Sequence, residues 1–156
     1  MRPLRVLIVD DSAVNRRTLT ELLSQMAGVT VVGAAQDGDE ALRSAATLAP
    51  DLITLDLEMP RMDGFTFLRL LMASRPTPVL VVSSHSAKEN VFRALELGAI
   101  DFITKPETFL TTQTQTQSVR EQLDRMVAMV RQLSPAKAQA RRMSTPRSAS
   151  ARLLSN

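Results

Sequence analysis

The chain has 156 residues, 44% of them apolar and none of them cysteine. That sets the expectation of one domain in a reducing compartment and excludes a disulfide scaffold, a thiolate zinc site and a cysteine nucleophile. Its net charge of +3 is unevenly spread: residues 1–133 hold 14 basic and 16 acidic side chains and residues 134–156 hold 5 basic and no acidic ones, so the basic balance belongs to a tail and does not mark the folded part for nucleic acid.

The elements follow in chain order. Val6 to Val9 is a β-branched run, apolar on both faces as a parallel strand covered by helices requires. Residues 13–26 then place Leu19, Leu22, Leu23 and Met26 on one helical face, with Asp11 or Ser12 as N-cap and Gly28 as the stop. A second strand is expected over 29–32 and a helix over 38–48, ended by Pro50. A third strand over 52–55 leads through the Asp63-Gly64 turn to a helix over 65–74 that ends near Pro76. A fourth strand over 79–82 precedes a helix over 86–97, with Gly98 placed at its C′ position. Residues 100–104 form a fifth, weaker run.

The Thr/Gln stretch over 111–117 has nothing to bury, and a polar loop insertion is expected over about 108–117. The last helix, over 118–133, carries Val119, Leu123, Met126, Val127, Val130 and Leu133 as one stripe. Beyond it, Ser, Pro, Ala, Gln, Arg and Lys without apolar periodicity read as a disordered tail or linker over 134–156. Strands alternating with helices indicate an α/β protein with a doubly wound, five-stranded parallel sheet. Apolar runs reach only about five residues against the roughly 20 of a membrane helix. Arg2, Arg5, Asp10 and Asp11 also interrupt any signal segment, so a soluble cytoplasmic protein is expected.

In such a sheet, ligands bind beyond the carboxyl ends of the strands, at the switch point of strand order. Asp10 and Asp11 follow the first run, Asp56 the third, Ser83 and Ser84 the fourth, and Lys105 the fifth. Carboxylates gathered there repel one another unless a cation joins them. Oxygen ligands without His or Cys select a hard ion, and an open site that keeps waters suits Mg²⁺. With the Lys105 charge and a serine hydroxyl, the set offers what a transferring phosphoryl group needs, namely positioning and neutralisation of its oxygens. Each residue also has a plainer reading: Asp11 as a helix cap, Lys105 as a solvated charge, the serines as a turn. It is their coincidence at the same ends of four strands that argues for a site. His85, the single histidine, reads as a loop residue, and no glycine-rich phosphate loop follows the first strand.

The pieces Val6-Leu-Ile-Val-Asp-Asp-Ser12, Asp51-Leu-Ile-Thr-Leu-Asp-Leu-Glu-Met-Pro60, Met62-Asp-Gly64, Val79-Leu-Val-Val-Ser-Ser84 and Phe102-Ile-Thr-Lys-Pro106 resemble the receiver domain of two-component response regulators, most closely that of the chemotaxis protein-glutamate methylesterase. The resemblance implies a flavodoxin-like fold over 1–133 and a phosphorylation-controlled signalling switch. It implies Asp56 as the phosphoacceptor, charged by a chemotaxis-type histidine kinase. It implies side-chain Mg²⁺ ligation by Asp11 and Asp56, ligation by the Glu58 main-chain carbonyl, and a metal-bound water held by Asp10. Ser83 matches the switch hydroxyl, Phe102 the aromatic that rotates with it, and Lys105 the ion-pairing lysine before a cis proline. The output is then a C-terminal effector domain or another protein partner. No nucleophile elbow and no Ser-His-Asp set is present in the sequence, so this stretch is not expected to hydrolyse methyl esters itself. The rival readings are a stand-alone receiver, an aspartyl-nucleophile phosphohydrolase, which Asp10-Asp11-Ser12 fits poorly for want of the Asp-x-Asp spacing, and a nucleic-acid adaptor acting through the tail.

Overall fold

The computed structural model describes residues 2–59, 61–83, 88–104 and 113–132. Along the chain run β1 (Leu4–Val9), α1 (Ala13–Ser24), β2 (Val29–Ala35), α2 (Gly38–Leu48), β3 (Leu52–Leu55), α3 (Gly64–Ser74), β4 (Val79–Ser83), α4 (Lys88–Glu96), β5 (Asp101–Thr104) and α5 (Gln113–Gln132). The strands form one parallel sheet in the order β2-β1-β3-β4-β5. This is the doubly wound sheet expected from the alternating pattern, in the flavodoxin-like arrangement that the receiver resemblance implies.

The twofold alternation of side chains along a strand divides the core. Leu4, Val6, Ile8, Leu52, Leu80 and Val82 pack with Leu19 and Leu23 of α1 and with Val119, Leu123, Val127 and Val130 of α5. Leu7, Val9, Ile53, Leu55, Val79 and Val81 pack on the other face with Ala41 and Ala45 of α2, Phe67, Leu68 and Leu71 of α3 and Ala94 of α4. β3 and β4, covered on both sides, are buried at every position. β5 lies at an edge and buries only Ile103 fully, which is why its sequence reads as the weakest of the five.

Side-chain caps set three helix starts. Ser12 Oγ accepts from Asn15 N at 3.2 Å, Asp37 Oδ1 from Glu40 N at 2.9 Å and Asp63 Oδ1 from Thr66 N at 2.9 Å; Ser12, and not Asp11, is therefore the cap of α1. At the far end of α2, Ala49 adopts a left-handed conformation (φ 47°) before Pro50, and the Arg5 guanidinium donates to the carbonyls of Leu48 and Ala49 at 2.6 and 2.9 Å. Gly28 (φ 74°) makes the corresponding turn after α1.

Most boundaries shift by one or two residues, β1 for example starting at Leu4 and not Val6, and three departures are informative. β2 continues through Gly33 and Ala34 to Ala35, because the ladder with β1 overrides their low strand propensity; the register skips Val32, between the pairs Val6/Val31 and Leu7/Gly33. α1 stops at Ser24, with Met26 still buried against the core. α5 starts at Gln113, inside the Thr/Gln run read as a loop: Gln is a good helix former, and a turn beyond the core needs no apolar stripe. Among the described residues no helix is long and apolar enough to cross a membrane.

Candidate functional site

The order β2-β1-β3 makes the crevice between the carboxyl ends of β1 and β3 the switch point, since the chain leaves β1 towards one side and β3 towards the other. β1 delivers Asp10 and Asp11 to this crevice and β3 delivers Asp56. One carboxylate oxygen of each lies within 4.8 Å of the others. Asp10 and Asp56 are buried and Asp11 is exposed, so the cluster has a closed floor and an open mouth. At that separation two carboxylates repel by about 3 kcal/mol at an effective dielectric near 20.

The fold fixes this cluster through the main chain. Asp10 N donates to Ala35 O at 3.0 Å and Asp56 N to Val9 O at 2.9 Å, which extends the ladders past the last strand residues. Asp10 Oδ1 accepts from Ser12 N at 2.9 Å, and Asp56 Oδ1 from Glu58 N at 3.3 Å. Each carboxylate is thus oriented by an amide two residues downstream. Gly64 closes the β3–α3 loop: its N–H donates to Leu57 O at 3.1 Å, and a Cβ there would lie 2.7 Å from Leu57 Cα. Sequence reading missed Arg16, which reaches back from α1 and donates from its guanidinium to Asp10 O at 2.7 Å; a single arginine on a helix carries no spacing signal that would have singled it out.

Ser83 ends β4, 2% exposed, and its hydroxyl has no hydrogen-bond partner among the described residues. Its ladder partner is Thr104, and Phe102 pairs with Val81 two residues back, so Ser83 and Phe102 share one face of the sheet. Phe102 is 39% exposed and belongs, with Phe92 and Leu95 of α4, to the large apolar side chains left at the surface. Lys105, Pro106, Ser84 and His85 lie outside the described residues. The all-oxygen set of three carboxylates, with main-chain groups of Glu58 beside it, fits a hard divalent cation.

Residues 6–117 match the family model of the response regulator receiver domain, and the chain belongs to that family. It is a receiver, a phosphorylation-controlled module of two-component signalling. Within the family it is 54% identical over 127 residues to protein-glutamate methylesterase/protein-glutamine glutaminase 3 of Geobacter sulfurreducens, an alignment covering 81% of this chain and 34% of that protein. The chain thus spans about a third of the length of the curated relatives it matches. Among solved structures, the response regulator domain of Thermotoga maritima CheB aligns with a TM-score of 0.75 and 40% identity, covering 83% of this chain and 98% of that one. The CheX–CheY–BeF3–Mg2+ complex of Borrelia burgdorferi aligns with a TM-score of 0.64 and 32% identity, covering 76% and 90%. The chain is therefore a receiver of the chemotaxis methylesterase type.

Proposed function

We propose that Asp56 is the phosphoacceptor of this receiver and that the chain, over residues 1–133, forms the regulatory part of a chemotaxis methylesterase-type response regulator, with 134–156 as the start of a linker. The observation that carries the reading is the gathering of Asp10, Asp11 and Asp56 at the switch point. An Asp56 carboxylate oxygen attacks the phosphorus of a phosphohistidine on a chemotaxis-type histidine kinase; the O–P bond of an aspartyl phosphate forms as the P–N bond breaks, and the imidazole takes up a proton. Asp11 and Asp56 by side chain and Glu58 by its main-chain carbonyl would hold Mg²⁺, and Asp10 would orient water at the site. When bound, the ion supplies neutralisation of the carboxylates and of the incoming phosphoryl oxygens. The magnesium in the CheX–CheY–BeF3–Mg2+ complex, 32% identical, supports this choice of ion.

Lys105 contributes a fixed positive charge to the phosphoryl oxygens. Ser83 supplies a hydroxyl whose buried, unpartnered state suits a later acceptor, and Phe102 turns into the space that the Ser83 movement vacates. On this reading the chain works in the cytoplasm beside its kinase, and these residues act as a receiver and not as a methylesterase by themselves.

The test is intact-mass analysis after incubation with acetyl phosphate and Mg²⁺. The expected result is a gain of one phosphoryl group, about 80 Da by formula mass, that is absent from Asp56→Asn and absent in EDTA. Equal labelling of Asp56→Asn overturns the assignment. With neither Trp nor Tyr in the chain, intrinsic fluorescence cannot substitute for the mass.

A further inference from the structure

We propose that Arg61, through its ion pair with Asp37, is a positioning residue for the cation-binding loop between β3 and α3, an inference that rests on the reading of Asp11, Asp56 and Glu58 as cation ligands. Three independent features converge there. Arg61 has φ 66°, in the left-handed region that a residue with a Cβ disfavours, so something outside its own backbone holds it. Its guanidinium Nη1 lies 3.4 Å from Asp37 Oδ2, with the arginine side chain 74% exposed and the aspartate side chain 8% exposed. Beside this pair the two loops touch without space between them: a Cβ on Gly38 would stand 2.7 Å from Met62 Cβ and 2.9 Å from Met62 O.

Asp37 is a firm anchor for reasons unrelated to Arg61. Its Oδ1 caps α2 by accepting from Glu40 N at 2.9 Å, and Glu40 Oε1 in turn accepts from Gln36 N at 2.9 Å, so both ends of the turn are tied. The opposite end of the β3–α3 loop is held by the Leu57–Gly64 contact. Glu58 sits between these two fixed points, and its amide orients Asp56. Releasing Arg61 removes the one ion pair on that side of the stretch that carries the Glu58 carbonyl among the described residues, leaving the packing of Met62 on Gly38 and the Gly64 contact to hold it.

Long-range Coulomb forces make an opposite demand, which renders the inference testable. Removing a positive charge near an acidic pocket tightens cation binding, and removing a negative charge weakens it; loss of positioning weakens binding in both cases. The experiment titrates Mg²⁺ calorimetrically into the full chain, Arg61→Asn, Asp37→Asn, the double variant and Arg61→Lys. Asn tolerates the left-handed backbone at 61 and retains a capping oxygen at 37. The expected result is an increase of about three- to fivefold in the Mg²⁺ dissociation constant for each single Asn variant, the scale of an ion pair with one exposed member. The double variant is expected to be no weaker than either single, Arg61→Lys to retain most of the affinity, and the urea midpoint of Arg61→Asn in EDTA to stay at the parent value. Unchanged or tighter binding by Arg61→Asn, or additive losses in the double variant, overturns the inference while leaving the cation site standing. Failure of the parent chain to bind Mg²⁺ removes both.

Discussion

The two ends of the sheet treat charge in opposite ways. At the amino ends of the strands, Asp51 is a side chain only 6% exposed and its carboxylate is answered within the fold: Arg2 donates to Oδ1 at 2.7 Å and the Arg5 amide to Oδ2 at 2.9 Å. The Arg5 guanidinium closes the end of α2, and Arg131 of α5 donates to the carbonyl of Ala27 at 3.1 Å. At the carboxyl ends, three carboxylates are gathered within 4.8 Å of one another. The same kinds of residue therefore tie elements of the fold together at one end and bring like charges together at the other, at a point where a cation fits. Like charges brought together by main-chain bonds at the ends of two strands are the physical mark of a site.

The largest effect expected from breaking this contrast is at Asp51. Asp51→Ala removes the acceptor of the part-buried Arg5 amide and of the exposed Arg2, and is expected to lower the unfolding free energy in urea by about 1–3 kcal/mol, the scale of hydrogen bonds to a charged group. Labelling by acetyl phosphate under native conditions is expected to keep the parent rate. A fall in labelling at full folded occupancy would falsify the division of labour between the two ends.

Much of this contrast is legible in the residues themselves. The apolar runs at 52–55 and 79–82 announce strands because both of their faces are covered, and Asp10 and Asp56 are recognisable because each stands directly after such a run, with Asp11 next to Asp10. Legibility ends where tertiary context outweighs local pattern. Gly33 and Ala34 have no strand propensity and are strand only because β1 pairs with them; the Gln113 start of α5 lacks the apolar stripe by which its later turns are found. The arginines are the hardest case. Arg5, Arg16 and Arg61 act through main-chain carbonyls or a partner at a sequence distance of 24 residues or more in two of the three cases, and a long flexible cation has no periodicity that reports where its end will settle. The Asp37-Gly38 pair, by contrast, is legible as a helix start, and only its second role with Arg61 is hidden.

A finer form of the same comparison lies in two hydroxyls. Thr54 and Ser83 are 1% and 2% exposed, and neither has a hydrogen-bond partner among the described residues. Thr54 sits in the middle of β3, laddered between Ile8 and Leu80, whereas Ser83 is the last residue of β4. The position along the strand decides what an unpartnered hydroxyl can do: at 54 no ligand can reach it, and at 83 it borders the crevice beyond the strand ends. Ser83→Ala is expected to accept phosphate but to lose most of the phosphorylation-dependent amide shifts over 88–104, because the proposed inward movement that makes room for Phe102 needs the hydroxyl. Shifts equal to the parent's would remove Ser83 from the switch.

Thr54→Val is the smallest change and the cleanest control. It keeps the β-branched shape and deletes only the hydroxyl, so the buried polar penalty disappears and the unfolding free energy is expected to rise by about 1 kcal/mol. Because Thr54 shares its strand with Asp56, any influence of core polarity on the acidic cluster should show here first. The expected labelling rate and amide shifts on phosphorylation are nevertheless the parent's, since Asp56 is oriented by Val9 O and Glu58 N and not by its neighbour two residues back. A loss of stability would mean that the hydroxyl has a partner that the packing of β3 conceals. Slower labelling in a stabilised variant would mean that the strand interior and its carboxyl end are not separable, and that the free-energy cost at Thr54 is tied to the site.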